Sequence, residues 1–262
     1  MKLIPFEKYE GAGNDFILLD FIEGELLDLK DQVLMEKLCD RNFGIGADGI
    51  IALCPDEQYD FRMKYLNSDG RFSSFCGNGS RCISLYASRK WNMNKFNFIA
   101  ADGPHSSEIM DHNTVKILMK DIEGLENTAL GPLVQTGSPH LIVEVEDVFK
   151  YEINSEGKRL RNEFSEEGVN VNFIQITGDQ SLKIATFERG VEKETLACGT
   201  GIVASSYYLA NKLKLQGQQS LQVEAKGGKL QVELFMDNKL KATTVHLIGP
   251  ANQVYSGFWP IY

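Results

Sequence analysis

The sequence contains one short motif twice, Cys-Gly-x-Gly, beginning at Cys76 and again at Cys198. The two copies read "CGNGSRCISLYA" and "CGTGIVASSYYLA", and they lie 122 positions apart. Each copy follows an extended segment with a polar turn, and each opens a stretch with the apolar spacing of an amphipathic helix. Repetition of one unit at this distance predicts a duplicated fold with a central, buried helix in each copy.

A Cys-Gly-x-Gly sequence at a helix start suits both anion binding and an ionised thiol. The N–H groups of the first turn have no partner within the helix, and glycine lets a ligand approach them closely. Together with the helix dipole they favour a bound carboxylate or phosphate, and they lower the pKa of a cysteine placed there. The dipole contributes about 0.3–1 kcal/mol, which is less than one pKa unit at about 1.36 kcal/mol per unit. We therefore expect other groups to help ionise the two sulfurs.

The other three cysteines are predicted to be unreactive. Cys39, Cys54 and Cys82 fall on helix or strand positions where a thiol usually packs as a small apolar residue. Five scattered cysteines without a CxxC pair do not suggest a disulfide framework. Four dispersed histidines argue against a metal cluster. We expect neither a metal nor another cofactor.

Charge and hydropathy narrow the class of partner. The chain has 27 Lys and Arg against 36 Asp and Glu, and a net charge of −9. This balance argues against nucleic acid or an anionic membrane surface as the main partner. No apolar run reaches transmembrane length, and the stretch "MKLIPFEKYEG" lacks the apolar core of a secretory signal. We therefore expect a cytoplasmic protein.

Apolar periodicity predicts many short strands and few helices. Helical spacing is found over residues 31–41, after Cys76 and after Cys198, and the charged segment 147–164 is partly helical. The remaining apolar stretches alternate or are short, and turn-forming residues separate them. The pattern indicates an α/β chain of the α+β type.

The order of elements in the first half of the chain is repeated in the second half. No low-complexity linker separates them, and the joint is expected near "DIEGLENTALG". The prediction is an N-terminal half of residues 1–122, with the segment 252–262 packing back on it. The C-terminal half then comprises residues 123–251.

The segment "GIGADG", residues 44–49, formally matches the GxGxxG pattern of dinucleotide-binding proteins. That pattern requires a strand before it and a helix after it. Here a predicted helix precedes the segment and a predicted strand follows it. The sequence therefore does not indicate a dinucleotide site.

Between residues 9 and 201 the chain contains, in this order, "GAGNDF", "FGIGADG", "NSDG", "FCGNGSRC", "GSPH", "VNVNF" and "FERGVEKETLACGTG". This set resembles the diaminopimelate epimerase family, and "GPANQVYSGF" near the end is similar as well. The resemblance implies two pseudo-symmetric α+β halves, each a curved, mainly antiparallel sheet wrapped around a central helix, with the active site in the cleft between them. It also implies a homodimer.

The activity that the resemblance implies is a cofactor-independent interconversion of LL- and meso-2,6-diaminopimelate, on the route to lysine and the bacterial cell wall. Cys76 and Cys198 match the acid–base pair, in which a thiolate removes the Cα proton and a thiol returns one from the opposite face. His140 and Glu188 match polar neighbours that tune the thiols. The residues that match substrate contacts are Asn14, Asn67, Gly77, Asn78, Asn170, Glu188, Arg189, Gly199 and Thr200.

These residue types suit a substrate with an amino-acid group at each end. Asparagine supplies an acceptor for ammonium and a donor for carboxylate, and Arg189 can hold a carboxylate at two points. The family often has asparagine where this chain has the shorter Ser138, and the "VEKE" segment after Gly190 is one residue longer than the commoner form. Both departures fall at or beside the matched substrate contacts.

Simpler interpretations of the same residues remain open. Asparagine is a frequent turn former, His140 could be an ordinary strand residue, and Glu188 with Arg189 could be a solvated pair. Two other functions also remain: another cofactor-independent amino-acid racemase of the same fold, acting on proline or histidine, or a non-catalytic thiol redox or binding protein. The chain has enough polar groups to bind an amino-acid group at both ends of a substrate, which favours diaminopimelate over proline or histidine. The absence of a CxxC motif counts against a redox protein.

Overall fold

A computed structural model describes residues 2–73 and 75–261 of the chain. The chain divides into two compact units. The first is Met1–Ile117 with Pro250–Tyr262, and the second is Leu118–Gly249. Within the described ranges, no helix has both the length and the apolar character needed to cross a bilayer.

The first unit combines a mixed sheet with two helices. Its strands are β1 (Lys2–Gly11), β2 (Asn14–Asp20), β3 (Gly49–Cys54), β4 (Phe61–Asn67), β5 (Phe72–Ser73), β6 (Lys95–Ala100), β7 (Gly103–Ile109), β8 (Thr114–Leu118) and β18 (Asn252–Ile261), and its helices are α1 (Gln32–Cys39) and α2 (Gly77–Trp91). Pairing is antiparallel for β18 with β1, β1 with β2, β3 with β4, β6 with β7 and β7 with β8. The pairs β2–β3 and β4–β6 are parallel, and helices α1 and α2 lie in the connections that parallel pairs require.

The second unit is built in the same way. Its strands are β9 (Leu125–Thr128), β10 (Gly131–Gln135), β11 (Pro139–Glu144), β12 (Asn170–Gly178), β13 (Ser181–Glu188), β14 (Lys193–Thr195), β15 (Gly217–Ala225), β16 (Gly228–Met236) and β17 (Ala242–Pro250), and its helices are α3 (Ile153–Phe164) and α4 (Gly199–Lys212). Pairing is antiparallel for β9 with β10, β10 with β11, β12 with β13, β15 with β16 and β16 with β17. The parallel pairs are β11–β12, across α3, and β13–β15, across α4.

The two units therefore have one topology. In each, a hairpin is followed by a helix, a parallel strand, its antiparallel neighbour, a short strand, the second helix and three further strands. The prediction of two similar α+β halves is confirmed. Strand pairing is mainly antiparallel in both units. The two parallel pairs of each unit lie on either side of one antiparallel pair, which is β3–β4 in the first unit and β12–β13 in the second.

Helices α2 and α4 are the central elements of their units. Helix α2 packs against β1, β2, β3, β4 and β7, and helix α4 packs against β10, β11, β12, β13, β15 and β16. Both are buried along most of their length; the buried residues of α4 are mostly apolar, whereas those of α2 include Asn78, Ser80, Arg81 and Ser84. The prediction of a buried helix after Cys198 is confirmed, because Ile202, Val203, Ser206, Tyr207 and Ala210 are all buried.

Long-range backbone hydrogen bonds lie next to the boundaries of the two units. Residues 118–122 belong to the second unit, because Ile122 and Ala242 exchange two backbone hydrogen bonds of 2.8 and 2.9 Å. Ala251 belongs to the first unit, where its N–H donates to the carbonyl of Asn113 at 2.8 Å. These long-range bonds have no local sequence signal.

Helix α3 packs against β13 through a glycine. A Cβ atom at Gly157 would lie 2.4 Å from Cβ and 2.5 Å from Cγ of Phe187, which is buried. Such distances are shorter than any carbon–carbon contact in a packed core. Glycine is therefore required here for the close approach of the helix to the sheet.

We predict that Gly157→Ala lowers the free energy of unfolding by about 1–3 kcal/mol, because overpacking displaces the helix. This loss should exceed the gain of about 1 kcal/mol from the higher helix propensity of alanine. Urea unfolding provides the measurement. The control is Gly124→Ala, which has open space around it and should change stability by no more than about 0.5 kcal/mol. A Gly157→Ala protein as stable as this control would contradict the packing argument.

Candidate functional site

Both cysteines of the repeated motif are the residues that cap the central helices. Cys76 precedes α2 and Cys198 precedes α4, with extended backbone at φ −133° and −111° and ψ 110° in both. The carbonyl of Cys76 accepts from Ser80 N at 2.8 Å, and that of Cys198 accepts from Ile202 N at 2.9 Å. This is the geometry of an N-cap residue, so the expected position of each sulfur at a helix start is confirmed.

In the first unit, the sulfur of Cys76 lies among polar groups of α2 and β2. Its Sγ accepts a hydrogen bond from Gly79 N at 3.4 Å and donates to Asn14 Oδ1 at 3.8 Å. The same Asn14 oxygen accepts from Asn78 Nδ2 at 3.2 Å. The fold thus brings together Asn14, Cys76 and Asn78, three of the predicted site residues.

Charged groups at both ends fix the orientation of the two amides. Arg81 Nη2 donates to Asn78 Oδ1 at 2.8 Å, and Asn14 Nδ2 donates to Asp48 Oδ2 at 2.9 Å. A guanidinium can only donate and a carboxylate can only accept, so the direction of every hydrogen bond between them is determined. Asn14 therefore presents its carbonyl oxygen to Cys76.

Arg81 was not identified from the sequence as a site residue. Its side chain is fully buried, where Nε donates to Pro250 O at 3.1 Å and Nη1 donates to Gly77 O at 3.4 Å. Burial lowers the pKa of Arg81, while nearby Cys76 and Cys82 oppose that change. A guanidinium remains charged near neutral pH, so this buried positive charge near the start of α2 favours negative charge there.

Asp48 is held in place by an ionic cluster at the start of β2. Arg41 Nη2 contacts Asp48 Oδ1 at 2.8 Å and Asp15 Oδ1 at 2.7 Å, and Lys8 Nζ lies 2.6 Å from Asp15 Oδ2. Burial by itself would raise the pKa of Asp15, but hydrogen bonds from Arg41 and Lys8 lower it to about 2. The "GIGADG" segment, which runs from α1 to β3 as expected, thus positions a carboxylate that orients Asn14.

Asn67 is placed differently from the other asparagines of the first unit. It is exposed at the end of β4, where its N–H donates to Arg71 O at 2.9 Å and its carbonyl accepts from Gly70 N at 3.0 Å. Among residues 2–73 and 75–261, no hydrogen bond joins its side chain to Asn14 or Cys76. Its observed contacts are those of a turn residue.

In the second unit, the sulfur of Cys198 is connected to an imidazole through a hydroxyl. Cys198 Sγ lies 3.6 Å from Thr200 Oγ1, and Thr200 Oγ1 lies 2.9 Å from His140 Nε2. Ser138 Oγ lies 3.0 Å from the same Nε2 atom. The predicted residues Cys198, Thr200 and His140 are therefore brought together, with Ser138 beside them.

Asn172 fixes the orientation of this imidazole, and sequence reasoning did not identify it. Its Nδ2 donates to the carbonyl of Gly201 at 3.1 Å, which leaves Oδ1 to accept from His140 Nδ1 at 3.3 Å. A Cβ atom at Gly201 would lie 2.8 Å from Asn172 Oδ1, so the helix can approach only with glycine there. The available signal was the spacing of Asn170 and Asn172, which places both on one face of a strand.

His140 is fully buried and uncharged at neutral pH. Burial lowers its pKa to about 4. The positive charge of Arg189 lowers the pKa further, whereas the hydrogen bond with Asn172 raises it. Because Nδ1 faces an acceptor, the proton of the neutral ring is on Nδ1. Nε2 is therefore a hydrogen-bond acceptor.

The remaining predicted residues of the second unit lie at the ends of β12 and β13. Asn170 Oδ1 accepts from Arg189 N at 2.9 Å, and Asn170 Nδ2 donates to Ser138 Oγ at 3.3 Å. Glu188 Oε2 accepts from Thr195 Oγ1 at 3.1 Å. The Arg189 side chain is exposed. Asn170 thus connects the backbone of Arg189 to the hydroxyl that contacts the imidazole.

The three other cysteines have a different environment. Cys39, Cys54 and Cys82 are buried, and burial raises the pKa of Cys39 to about 12 and raises the pKa values of the other two. All five cysteines lie in the described ranges, and none forms a disulfide. No set of three or more His, Cys, Asp and Glu side chains in those ranges is arranged to hold a metal ion.

Solved structures share this fold at low sequence identity. A phenazine biosynthesis protein of the PhzF family from Bacillus anthracis matches with a TM-score of 0.77 and 16% identity, covering 100% of both chains. A hydroxyproline epimerase from Agrobacterium vitis, with bound trans-4-hydroxy-L-proline, matches with a TM-score of 0.72 and 15% identity over 98% of this chain and 92% of that one. At such identities the likeness concerns the fold alone.

Sequence comparison gives a more specific result. The family model for diaminopimelate epimerase matches residues 6–123 and 133–254. The diaminopimelate epimerase of Flavobacterium psychrophilum is 38% identical over 95% of this chain and 97% of its own length. The enzyme of Chlorobaculum tepidum is 37% identical over 94% of this chain and 98% of its own length. The chain is an isomerase and belongs to the diaminopimelate epimerase family.

Proposed function

We propose that the protein interconverts LL- and meso-2,6-diaminopimelate by an acid–base mechanism in which Cys76 and Cys198 both take part. The reaction serves lysine biosynthesis and needs no cofactor. Family membership supports the reaction. The observation that carries the mechanism is that each unit places a cysteine as the N-cap of its buried central helix.

Inversion at Cα requires a base on one face of the carbon and an acid on the other. One thiolate accepts the Cα proton, leaving a carbanion whose electron pair takes a proton from the second thiol. The charge thereby moves from one sulfur to the other, and the reverse direction exchanges the two roles. No group other than the substrate and the two sulfurs gains or loses a proton.

The carbanion is stabilised by spreading its charge into the adjacent carboxylate. The N–H groups of a first helical turn lack partners within the helix, and they are directed outward beside each cysteine. Gly77 and Gly199 follow the two sulfurs directly, so a carboxylate can approach the backbone there. Donors placed in advance at the developing charge are among the largest contributions to catalysis.

We assign the distal amino-acid group of the substrate to the second unit. Arg189 can bind a carboxylate through two N–H groups, and Glu188 can accept from an ammonium group. Asn170 holds the backbone of Arg189, and its Oδ1 retains one lone pair for the substrate. In the first unit, Asn14 directs a carbonyl oxygen toward Cys76, which suits the ammonium group on the reacting carbon.

The chief alternative is a racemase for a smaller amino acid, such as proline or histidine. A substrate with one amino-acid group has no second carboxylate for Arg189 to bind, so substitution of Arg189 would not affect its turnover. LL-diaminopimelate, L-proline and L-histidine should therefore be compared directly, with release of the second enantiomer or epimer followed by chiral chromatography. Turnover of L-proline alone would reject the proposed substrate.

We predict that Cys198→Ala lowers epimerisation of LL-diaminopimelate by at least about 10²-fold, the usual contribution of an acid–base side chain. Incorporation of deuterium at Cα in heavy water measures the reaction, and circular dichroism checks the fold. Cys54→Ala is the matched control, because it removes a buried thiol whose pKa is raised, and it should remain active. Near-normal turnover by a folded Cys198→Ala protein would reject the two-cysteine mechanism.

Two thiols that act on one carbon should also be able to react with each other. We predict that diamide, a mild thiol oxidant, abolishes activity and that dithiothreitol restores it. Mass spectrometry of the oxidised protein should find a disulfide between the peptides of Cys76 and Cys198, and none in Cys198→Ser. Retained activity with no linked peptide would show that the two sulfurs do not meet.

We propose that the protein is a homodimer. Val254 and Phe258 are exposed and lie on the same face of β18, and exposed apolar groups that share a face are typical of an interface. Sedimentation velocity should give about twice the chain mass of 29.3 kDa. Phe258→Glu should shift the protein toward monomer, whereas Val33→Glu, at an exposed position of α1, should not. A monomeric wild-type protein at micromolar concentration would contradict the proposal.

A further inference from the structure

Two hydroxyl groups compete for one acceptor beside Cys198. Thr200 Oγ1 lies 2.9 Å and Ser138 Oγ lies 3.0 Å from His140 Nε2, and the two oxygens are 3.4 Å apart. In a neutral imidazole with its proton on Nδ1, Nε2 has one lone pair. Only one of the two hydroxyls can donate to it fully at a time.

We propose that Thr200 and Ser138 form a hydroxyl relay that changes its hydrogen bonds each time Cys198 gains or loses a proton. The proposal rests on the assignment of Cys198 as an acid–base residue and names the groups that stabilise both of its protonation states. In the relay, hydroxyl groups rotate, and no proton moves between Thr200, Ser138 and His140. The proton that Cys198 gains or loses comes from, or goes to, the substrate.

When Cys198 carries its proton, the S–H donates to Thr200 Oγ1 across 3.6 Å, and the Thr200 hydroxyl donates to His140 Nε2. The Thr200 oxygen then serves as acceptor and donor together. Ser138 Oγ accepts from Asn170 Nδ2 at 3.3 Å, which holds the serine oxygen near the imidazole. The Ser138 hydroxyl donates to the second lone pair of Thr200 Oγ1, 3.4 Å away, so every donor in this arrangement has an acceptor.

When Cys198 is a thiolate, it needs donors. The Thr200 hydroxyl rotates so that it donates to the sulfur, and the Ser138 hydroxyl takes over the lone pair of His140 Nε2 at 3.0 Å. The buried imidazole therefore keeps a hydrogen bond in both states. Without Ser138, the rotation of Thr200 would leave a buried acceptor unsatisfied, which is costly.

The surroundings of His140 prevent it from becoming a proton acceptor itself. Asn172 holds the proton on Nδ1, because its own Nδ2 is bound to the carbonyl of Gly201. The positive charge of Arg189 disfavours a second proton on the ring, and the ring has no exposed surface. Asn172 is thus a positioning residue, which acts on Cys198 through His140 and Thr200.

The relay can be tested without substrate, by NMR titration of cysteine labelled with ¹³C at Cβ. The Cys198 signal is assigned by its absence in Cys198→Ser. In Thr200→Val, which keeps the shape and removes the hydroxyl, the thiolate loses one hydrogen-bond donor and the pKa of Cys198 should rise by at least about one unit. Thr200→Ser keeps the hydroxyl and should titrate within a few tenths of a unit of the wild type.

Ser138→Ala provides a second, independent variant. Thr200 then has to serve both the thiolate and the imidazole, so the pKa of Cys198 should rise, by less than in Thr200→Val. The control is Ser206→Ala, which removes a buried hydroxyl of the same helix that has no hydrogen-bond partner within the described ranges. It should leave the pKa of Cys198 unchanged.

A Thr200→Val protein that titrates like the wild type, or a Ser206→Ala protein that shifts as much, would overturn the relay. The titration does not depend on turnover, so it separates the relay from the proposed reaction. The expected shifts in a protein that is inactive on LL-diaminopimelate would support the relay and reject the reaction. Normal epimerisation by the wild-type protein, with an unchanged pKa of Cys198 in Thr200→Val, would support the reaction and reject the relay.

Discussion

The structure depends on a buried helix in each unit whose first residue is preceded by cysteine. Burial of α2 and α4 among strands supplies the apolar contacts that hold each sheet in place. The N–H groups of the first turn have no partner within the helix. A cysteine in the N-cap position therefore lies beside these groups and among buried polar side chains, and the glycine after it keeps the helix end accessible.

The two units use one topology but surround their sulfurs with different chemistry. Cys76 lies among amides whose directions are fixed by the buried Arg81 at one end and Asp48 at the other. Cys198 contacts a hydroxyl that leads to an uncharged imidazole. The position in α4 that corresponds to Arg81 is occupied by the apolar Val203. The duplicated scaffold thus surrounds its two N-cap thiols with different hydrogen-bond partners.

The local sequence pattern was sufficient to predict the helices, the strands and the repeat. It was not sufficient to predict the polar contacts around the two sulfurs. Helix α2 begins directly after Cys76, as its apolar spacing indicated, and the "GIGADG" segment connects a helix to a strand as its context required. Asn172 was missed because nothing in the sequence of β12 distinguishes its role from that of Asn170. The difference is evident only once the packing of α4 against β12 is known. Asp48 was missed because its partner Asn14 lies in a different element, and the hydrogen bond between them has no spacing rule.

The sequence by itself determined the duplication, the class of the fold and the placement of a cysteine at each central helix start, because these follow from periodicity and from the physics of helix ends. It also determined the family, through motifs that span most of the chain. Only the tertiary structure decided which proton His140 carries, which way Asn14 faces and which hydroxyls reach one lone pair. These hydrogen bonds depend on distances of about 3 Å between residues far apart in the chain. The direction of each bond is determined by the group at the end of its network, which can only donate or only accept.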